Sequence, residues 1–176
     1  MKACCEADTT AAIALSDLVV LVGNPNCGKT TLFNALTGAR QKTGNWPGVT
    51  VERKEGRWCL ADGTEVRLVD LPGVYSLSSQ SPSIDEKIAR DFILQTKGAI
   101  YINVVDGTNL SQGLFLTLQL RELGVPVVVA LNMMDLAEKN GIQVDVNALS
   151  ELLGCPVIPI SAREQLGLKD LQERLM

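Results

Sequence analysis

The sequence predicts an α/β fold, with a mixed, mostly parallel six-stranded sheet flanked by helices. Strand-length apolar runs alternate with helical stretches from Leu18 onward, the pattern of helices packed over a largely parallel sheet. Two of those runs, residues 99–105 and 125–131, are almost continuously apolar, as strands covered on both faces are. One pair of runs, 51–60 and 65–71, flanks the turn sequence Ala61-Asp62-Gly63, which suits an antiparallel hairpin and makes the sheet mixed. At 176 residues, 46% of them hydrophobic, the chain can bury one full core as a single domain.

The elements follow in order. Residues 1–16 are small and polar without a sustained period; they are expected to form a flexible tail, and they lack the basic start and long apolar centre of a secretory signal. Residues 18–22 form a strand ending in glycine, and Leu32, Phe33 and Leu36 share one face of the helix behind it. Residues 42–47 are expected to be loop. Ser83 followed by Glu86 is a capping box, opening a helix expected to turn Ile84, Ile88 and Phe92 inward. The leucine-rich stretch 110–123 is a helix crossing between the two buried strands. Val146, Leu149, Leu152 and Leu153 have helical spacing, and Gly154 suits a left-handed terminator before a strand at 155–160. Leu168, Leu171 and Leu175 mark a last amphipathic helix, expected to be cut off by the end of the chain.

Composition excludes several functions. The net charge of −4 leaves no basic field to draw nucleic acid. The longest apolar runs, such as 126–131, fall far short of the roughly 20 residues a membrane-spanning helix needs. Five cysteines and no histidine, without metal-ligand spacing, read as reduced thiols rather than a metal centre.

Three motifs carry chemistry. Gly23-Asn24-Pro25-Asn26-Cys27-Gly28-Lys29-Thr30, followed by Thr31, fits the phosphate-binding loop and lies between a strand and a helix. The glycines let backbone N–H groups turn onto phosphates, the helix N-terminus adds a positive dipole, Lys29 supplies charge to the β- and γ-phosphates, and Thr30 is a Mg²⁺ ligand. Asp70-Leu71-Pro72-Gly73 follows a strand, where Asp70 can hold Mg²⁺ through water and the Gly73 N–H can meet a γ-phosphate. Asn132-Met133-Met134-Asp135 follows another strand; Asp135 would accept from guanine N1–H and N2–H, and adenine offers no such pair. Ser161-Ala162-Arg163 resembles the accompanying base-contact loop. Between the phosphate motifs, Gly48 and Val49 precede Thr50, the natural switch residue that reaches Mg²⁺ only with a γ-phosphate present. Trp46 beside them is either part of that switch or a packing anchor.

Together these motifs predict a P-loop GTPase, a Ras-like G domain binding GTP or GDP with Mg²⁺, with Asn26, Lys29, Thr50 and Gly73 as its catalytic groups. Val74 stands where many GTPases carry a glutamine that orients the attacking water, so unaided hydrolysis is expected to be slow. Met133 replaces a usual lysine and changes one contact over the base.

The segments at 23–34, 44–52, 70–73 and 132–135, above all Gly-Asn-Trp-Pro-Gly-Val-Thr-Val-Glu, closely resemble the FeoB family of prokaryotic ferrous-iron transporters over residues 17–176. That resemblance implies a G domain at the cytoplasmic face of the inner membrane, followed in the intact protein by a helical regulatory domain and a transmembrane region as partners, with self-association into a homo-oligomer left open. It also implies that Asn26 holds a potassium ion against the phosphates, the alternative being that Asn26 only ties the phosphate loop to the switch. The competing assignment is a soluble GTPase of ribosome assembly or tRNA modification.

Overall fold

The computed structural model describes residues 17–38, 41–78 and 80–175; the tail expected at 1–16 lies outside them. The element order is β1 (Leu18–Gly23), α1 (Lys29–Thr37), β2 (Gln41–Asn45), β3 (Glu52–Cys59), β4 (Glu65–Asp70), α2 (Ile84–Gln95), β5 (Ile100–Asp106), α3 (Leu110–Glu122), β6 (Val127–Asn132), α4 (Met134–Lys139), α5 (Val146–Leu153), β7 (Val157–Pro159) and α6 (Leu168–Glu173). The strands form one sheet in the order β2-β3-β4-β1-β5-β6-β7. Its β4-β1-β5-β6-β7 portion is parallel, and β2 and β3 are added antiparallel.

The sheet therefore has seven strands, not the six expected. The additional one is β2, Gln41–Asn45, placed in the stretch expected to be loop. Every residue of β2 is exposed, so its sequence carries no apolar alternation. It is a strand because its backbone pairs with β3, from Gln41↔Gly56 to Asn45↔Glu52, and periodicity cannot report an element held by backbone hydrogen bonds alone.

Alternation along β1 divides the core between the faces of the sheet. Val19 and Leu21 pack with Leu32, Phe33, Leu171 and Leu175, beneath α1 and α6. Val20 and Val22 pack with Ala89, Ile93, Leu116 and Leu120, beneath α2 and α3. The Ser83–Glu86 capping box forms with both of its hydrogen bonds, but the inner face of α2 is rotated from the expected one. Ala89 and Ile93 are buried and Ile88 and Phe92 partly so, while Ile84, in the first turn, is exposed. Likewise Leu152 of α5 is exposed although Leu153 is buried; an eight-residue helix covers the sheet with only part of its circumference. Gly154 ends α5 in the left-handed conformation expected.

Candidate nucleotide site

Four strands deliver the motifs to one end of the sheet. β1 ends at Gly23, β4 at Asp70, β6 at Asn132 and β7 just before Ser161. β1, β4, β6 and β7 run parallel, so the loops after them share the carboxyl edge, where ligands of open α/β sheets bind.

The phosphate loop is shaped by close approaches. A Cβ on Gly23 would meet the Val104 carbonyl oxygen at 2.7 Å and Cys27 Sγ at 2.8 Å. Gly28 caps α1 with φ 86°, a conformation glycine adopts freely, and a Cβ there would run into Asn132 Nδ2. Asn26 takes φ 67° without being glycine, as asparagine does more readily than most residues. Asn24 is buried and its Oδ1 has no hydrogen-bond partner; Pro25 and Asn26 are exposed at the rim, with Thr30 and Thr31 in the first turn of α1.

Lys29 and Asp70 are brought together. Both are buried, with Lys29 Nζ 2.6 Å from Asp70 Oδ1. Burial pushes the Asp70 carboxyl above the usual carboxylate range, although the adjacent Lys29 ammonium opposes this. Burial also raises the Cys27 thiol to about 11, which keeps it protonated and chemically quiet. For Mg²⁺ the fitting donors are the Asp70 carboxylate and the Thr30 hydroxyl, hard oxygens of the class that ion takes. Mg²⁺ is commonly held by one or two carboxylates plus substrate phosphates, and among the described residues no group of three acidic, cysteine or histidine side chains could hold a metal.

Asn132 ties the site together. Its Nδ2 donates to the Cys27 carbonyl at 3.0 Å, and its Oδ1 accepts from the Ala162 N–H at 2.9 Å. One buried carboxamide thus joins the phosphate loop to the loop at 161–163. Met133 adopts φ 61° to cap α4, placing Asp135 in that helix's first turn. Ser161 and Ala162 are buried, and Ser161 pairs with Leu166 to close the loop. The Arg163 side chain points to solvent and lies 4.0 Å from Glu164.

The expected switch segment is a hairpin end. Trp46 N–H donates to the Val51 carbonyl at 2.9 Å, Gly48 takes φ 77°, Val49 is partly buried and Thr50 is exposed. Trp46 is a packing anchor: its ring meets Phe92 of α2 edge-on at 5.4 Å and lies under the Arg53 guanidinium at 4.7 Å. After β4, Val74 N–H donates to the Gly23 carbonyl at 3.1 Å. A Cβ on Gly73 would stand 3.1 Å from Pro25 Cα, so the second phosphate motif passes directly over the phosphate loop. Sequence reasoning missed Gln119 of α3, which is buried and bonded to residues 76–78. Its signal was a carboxamide between Leu116 and Leu120 on the inward face of a leucine-rich helix.

The family model for ferrous iron transport protein B matches residues 17–175. The chain belongs to the FeoB family. It is 57% identical over 154 residues to an Fe(2+) transporter FeoB of Salmonella typhimurium, an alignment covering 86% of this chain and 20% of that protein. The chain thus spans about a fifth of the length of the curated relatives it matches. Among solved structures, the FeoB G domain of T. maritima matches with TM-score 0.82 and 45% identity over 90% of this chain and 95% of that one. The T. maritima FeoB cytosolic domain in its GMPPNP form matches with TM-score 0.85 and 46% identity, covering 90% of this chain and 62% of that one; that domain is also known in a GDP form. The chain therefore has the P-loop GTPase fold of FeoB G domains. Nothing in these matches favours the alternative of a ribosome-assembly or tRNA-modification GTPase. Among the described residues no helix is long and apolar enough to cross a membrane.

Proposed function

We propose that this chain is the guanine-nucleotide domain of a ferrous-iron transporter, binding GTP and GDP with Mg²⁺ and hydrolysing GTP slowly. The observation that carries this reading is the Asn132 carboxamide, which bridges Cys27 of the phosphate loop and Ala162 of the 161–163 loop. That bridge sets phosphate and base recognition at one fixed separation, as a single nucleotide requires.

In this reading the backbone N–H groups from Asn26 to Thr31 cradle the phosphates. Lys29, paired with Asp70 in this structure, would turn to the β- and γ-phosphates, and Asp70 with Thr30 would hold Mg²⁺, which supplies positive charge against the phosphates. Asp135 reads guanine, beside Asn132, Met133 and the 161–163 loop. Thr50 would add its hydroxyl to Mg²⁺ and the Gly73 N–H would meet the γ-phosphate when GTP is bound, with Gly48 and Val49 in the segment that carries Thr50. Asn26, at the exposed rim, would hold a potassium ion, which would supply positive charge against that developing on the phosphates. The domain then serves the transporter from the cytoplasmic face of the inner membrane, acting on helical and transmembrane regions of the intact protein.

The test is a base swap. Asp135→Asn should weaken GTP binding and improve xanthosine triphosphate binding, because xanthine carries an oxygen where guanine carries N2–H; unchanged GTP affinity in a calorimetric titration would overturn the assignment. Potassium is tested separately by turnover in potassium and sodium chloride at matched ionic strength, where equal rates in the parent domain remove the ion from the mechanism.

A further inference from the structure

We propose that Gln119 is a positioning residue for GTP hydrolysis, a clasp on α3 that sets the backbone of the segment following Gly73. The proposal rests on the hydrolysis reading above. Its basis is a set of contacts that joins residues more than forty positions apart. Gln119 Oε1 accepts from the Leu77 N–H at 2.9 Å. Its Nε2 donates to Ser76 Oγ at 3.1 Å and to Ser78 Oγ at 2.6 Å, and Ser78 N–H donates to Ser76 Oγ at 3.1 Å. Both amide hydrogens and the oxygen of a buried carboxamide are thus spent on one short loop. A buried carboxamide needs such partners, and here they all come from residues 76–78.

Packing shows what the clasp controls. Leu116 and Leu120, on either side of Gln119, are fully buried in the same cluster as Val74 and Leu77, so α3 is a rigid base for the contact. The loop itself is lightly held, with Tyr75 and Ser78 exposed. At its start the Val74 N–H is tied to the Gly23 carbonyl of β1; at Leu77 it is tied to Gln119. Gly73 is confined against Pro25, so these two ties bound the path the chain takes past the phosphate loop.

Hydrolysis makes that path matter. Val74 occupies the position from which a glutamine side chain would orient water, and valine has no polar group to do so. Orientation then falls to backbone groups of this segment, and whatever holds the backbone determines their aim. Misplacement by about an ångström can cost roughly 10²-fold in rate. The bonds to Gln119 are between neutral groups and can be exchanged for water at small net cost, as a switch that must move requires.

The experiment compares the parent domain with Gln119→Met, which keeps the length of the side chain and removes its hydrogen bonds, and with Gln119→Glu. The carboxylate still accepts from Leu77 N–H and from the serine hydroxyls. A Ser76→Ala/Ser78→Ala variant removes the two Nε2 bonds of the clasp from the loop side and leaves the bond from Leu77 N–H. Measured quantities are single-turnover GTP hydrolysis, GDP affinity and amide hydrogen exchange at residues 74–78. The expected result is about tenfold slower hydrolysis in Gln119→Met, with GDP affinity within about twofold of the parent and Gln119→Glu recovering to within about threefold. The double serine variant should fall between parent and Gln119→Met. Parent-like hydrolysis in both Gln119→Met and the double serine variant overturns the proposal, and so does an equal loss of GDP affinity, which would mean a purely structural role. If the parent domain itself does not hydrolyse GTP, the hydrolysis reading fails and exchange judges the clasp alone. Faster exchange at 74–78 in the variants supports it, and unchanged exchange overturns it.

Discussion

Replacing Asn132 by alanine should cost both stability and nucleotide affinity, because one side chain satisfies two buried backbone groups in different loops. Asn132 is 3% exposed. Its removal leaves the Cys27 carbonyl and the Ala162 N–H without the partners they have at 3.0 and 2.9 Å. A buried polar group left unsatisfied costs about 1–3 kcal/mol; with some relaxation and water entry, the pair should lower folding stability by about 2–4 kcal/mol. At roughly 2–4 °C per kcal/mol for a domain of this size, the midpoint of thermal unfolding falls by roughly 4–16 °C. Urea denaturation of the nucleotide-free domain gives the stability change, and calorimetric titration with GDP gives the affinity. Asn132→Asp should restore the bond from Ala162 while setting a carboxylate against the Cys27 carbonyl, so the phosphate loop suffers more than the 161–163 loop. Gly28→Ala pushes a methyl group against Asn132 Nδ2 and attacks the same bond, so its cost should be less than additive with that of Asn132→Ala. A loss below about 0.5 kcal/mol with unchanged GDP affinity would refute the bridging role, since that is the scatter of ordinary surface substitutions.

Thr50→Ala should leave GDP binding nearly unchanged and slow GTP hydrolysis, since Thr50 is exposed in this arrangement and would meet Mg²⁺ only with a γ-phosphate present; equal turnover in variant and parent removes Thr50 from the mechanism. Burial pushes the Tyr101 phenol from 10.0 to about 12. The folded state therefore holds this proton more tightly than the unfolded chain, and the associated stability is complete below pH 10 and is lost as pH rises towards about 12. Tyrosinate absorbance in a Tyr75→Phe variant, which leaves Tyr101 as the sole tyrosine of the two, should show ionisation delayed until then, and titration near 10.0 in the folded protein would refute it.

The motifs at 23–30, 70–73 and 132–135 were legible because each requires particular residue types in particular places. Glycine is demanded where backbone closes on backbone, and Gly23 and Gly28 stand where a Cβ would collide with Val104 or Asn132. The apolar runs of β1, β5 and β6 were legible because strands buried on both faces admit little else. The capping box at Ser83 and the terminator at Gly154 were legible because they satisfy helix ends locally, within a few residues.

Other features depended on partners distant in sequence. β2 is a strand only because β3 lies beside it, and its exposed, polar residues say nothing of that pairing. The inward face of α2 was set by what lay beneath it, Ala89 and Ile93 rather than Ile84, since propensity and spacing yield to packing. Trp46 could have been switch or anchor, and Phe92 decided for the anchor. The Lys29–Asp70 pair, the Asn132 bridge and the Gln119 clasp span 41, 105 and 42 residues. The sequence by itself determined the fold class, the strand-to-loop placement of the three motifs and the family, all of which rest on local stereochemistry and short-range spacing. Tertiary structure alone decided which of those side chains meet, because a hydrogen bond between residues a hundred positions apart leaves no periodic trace in either segment.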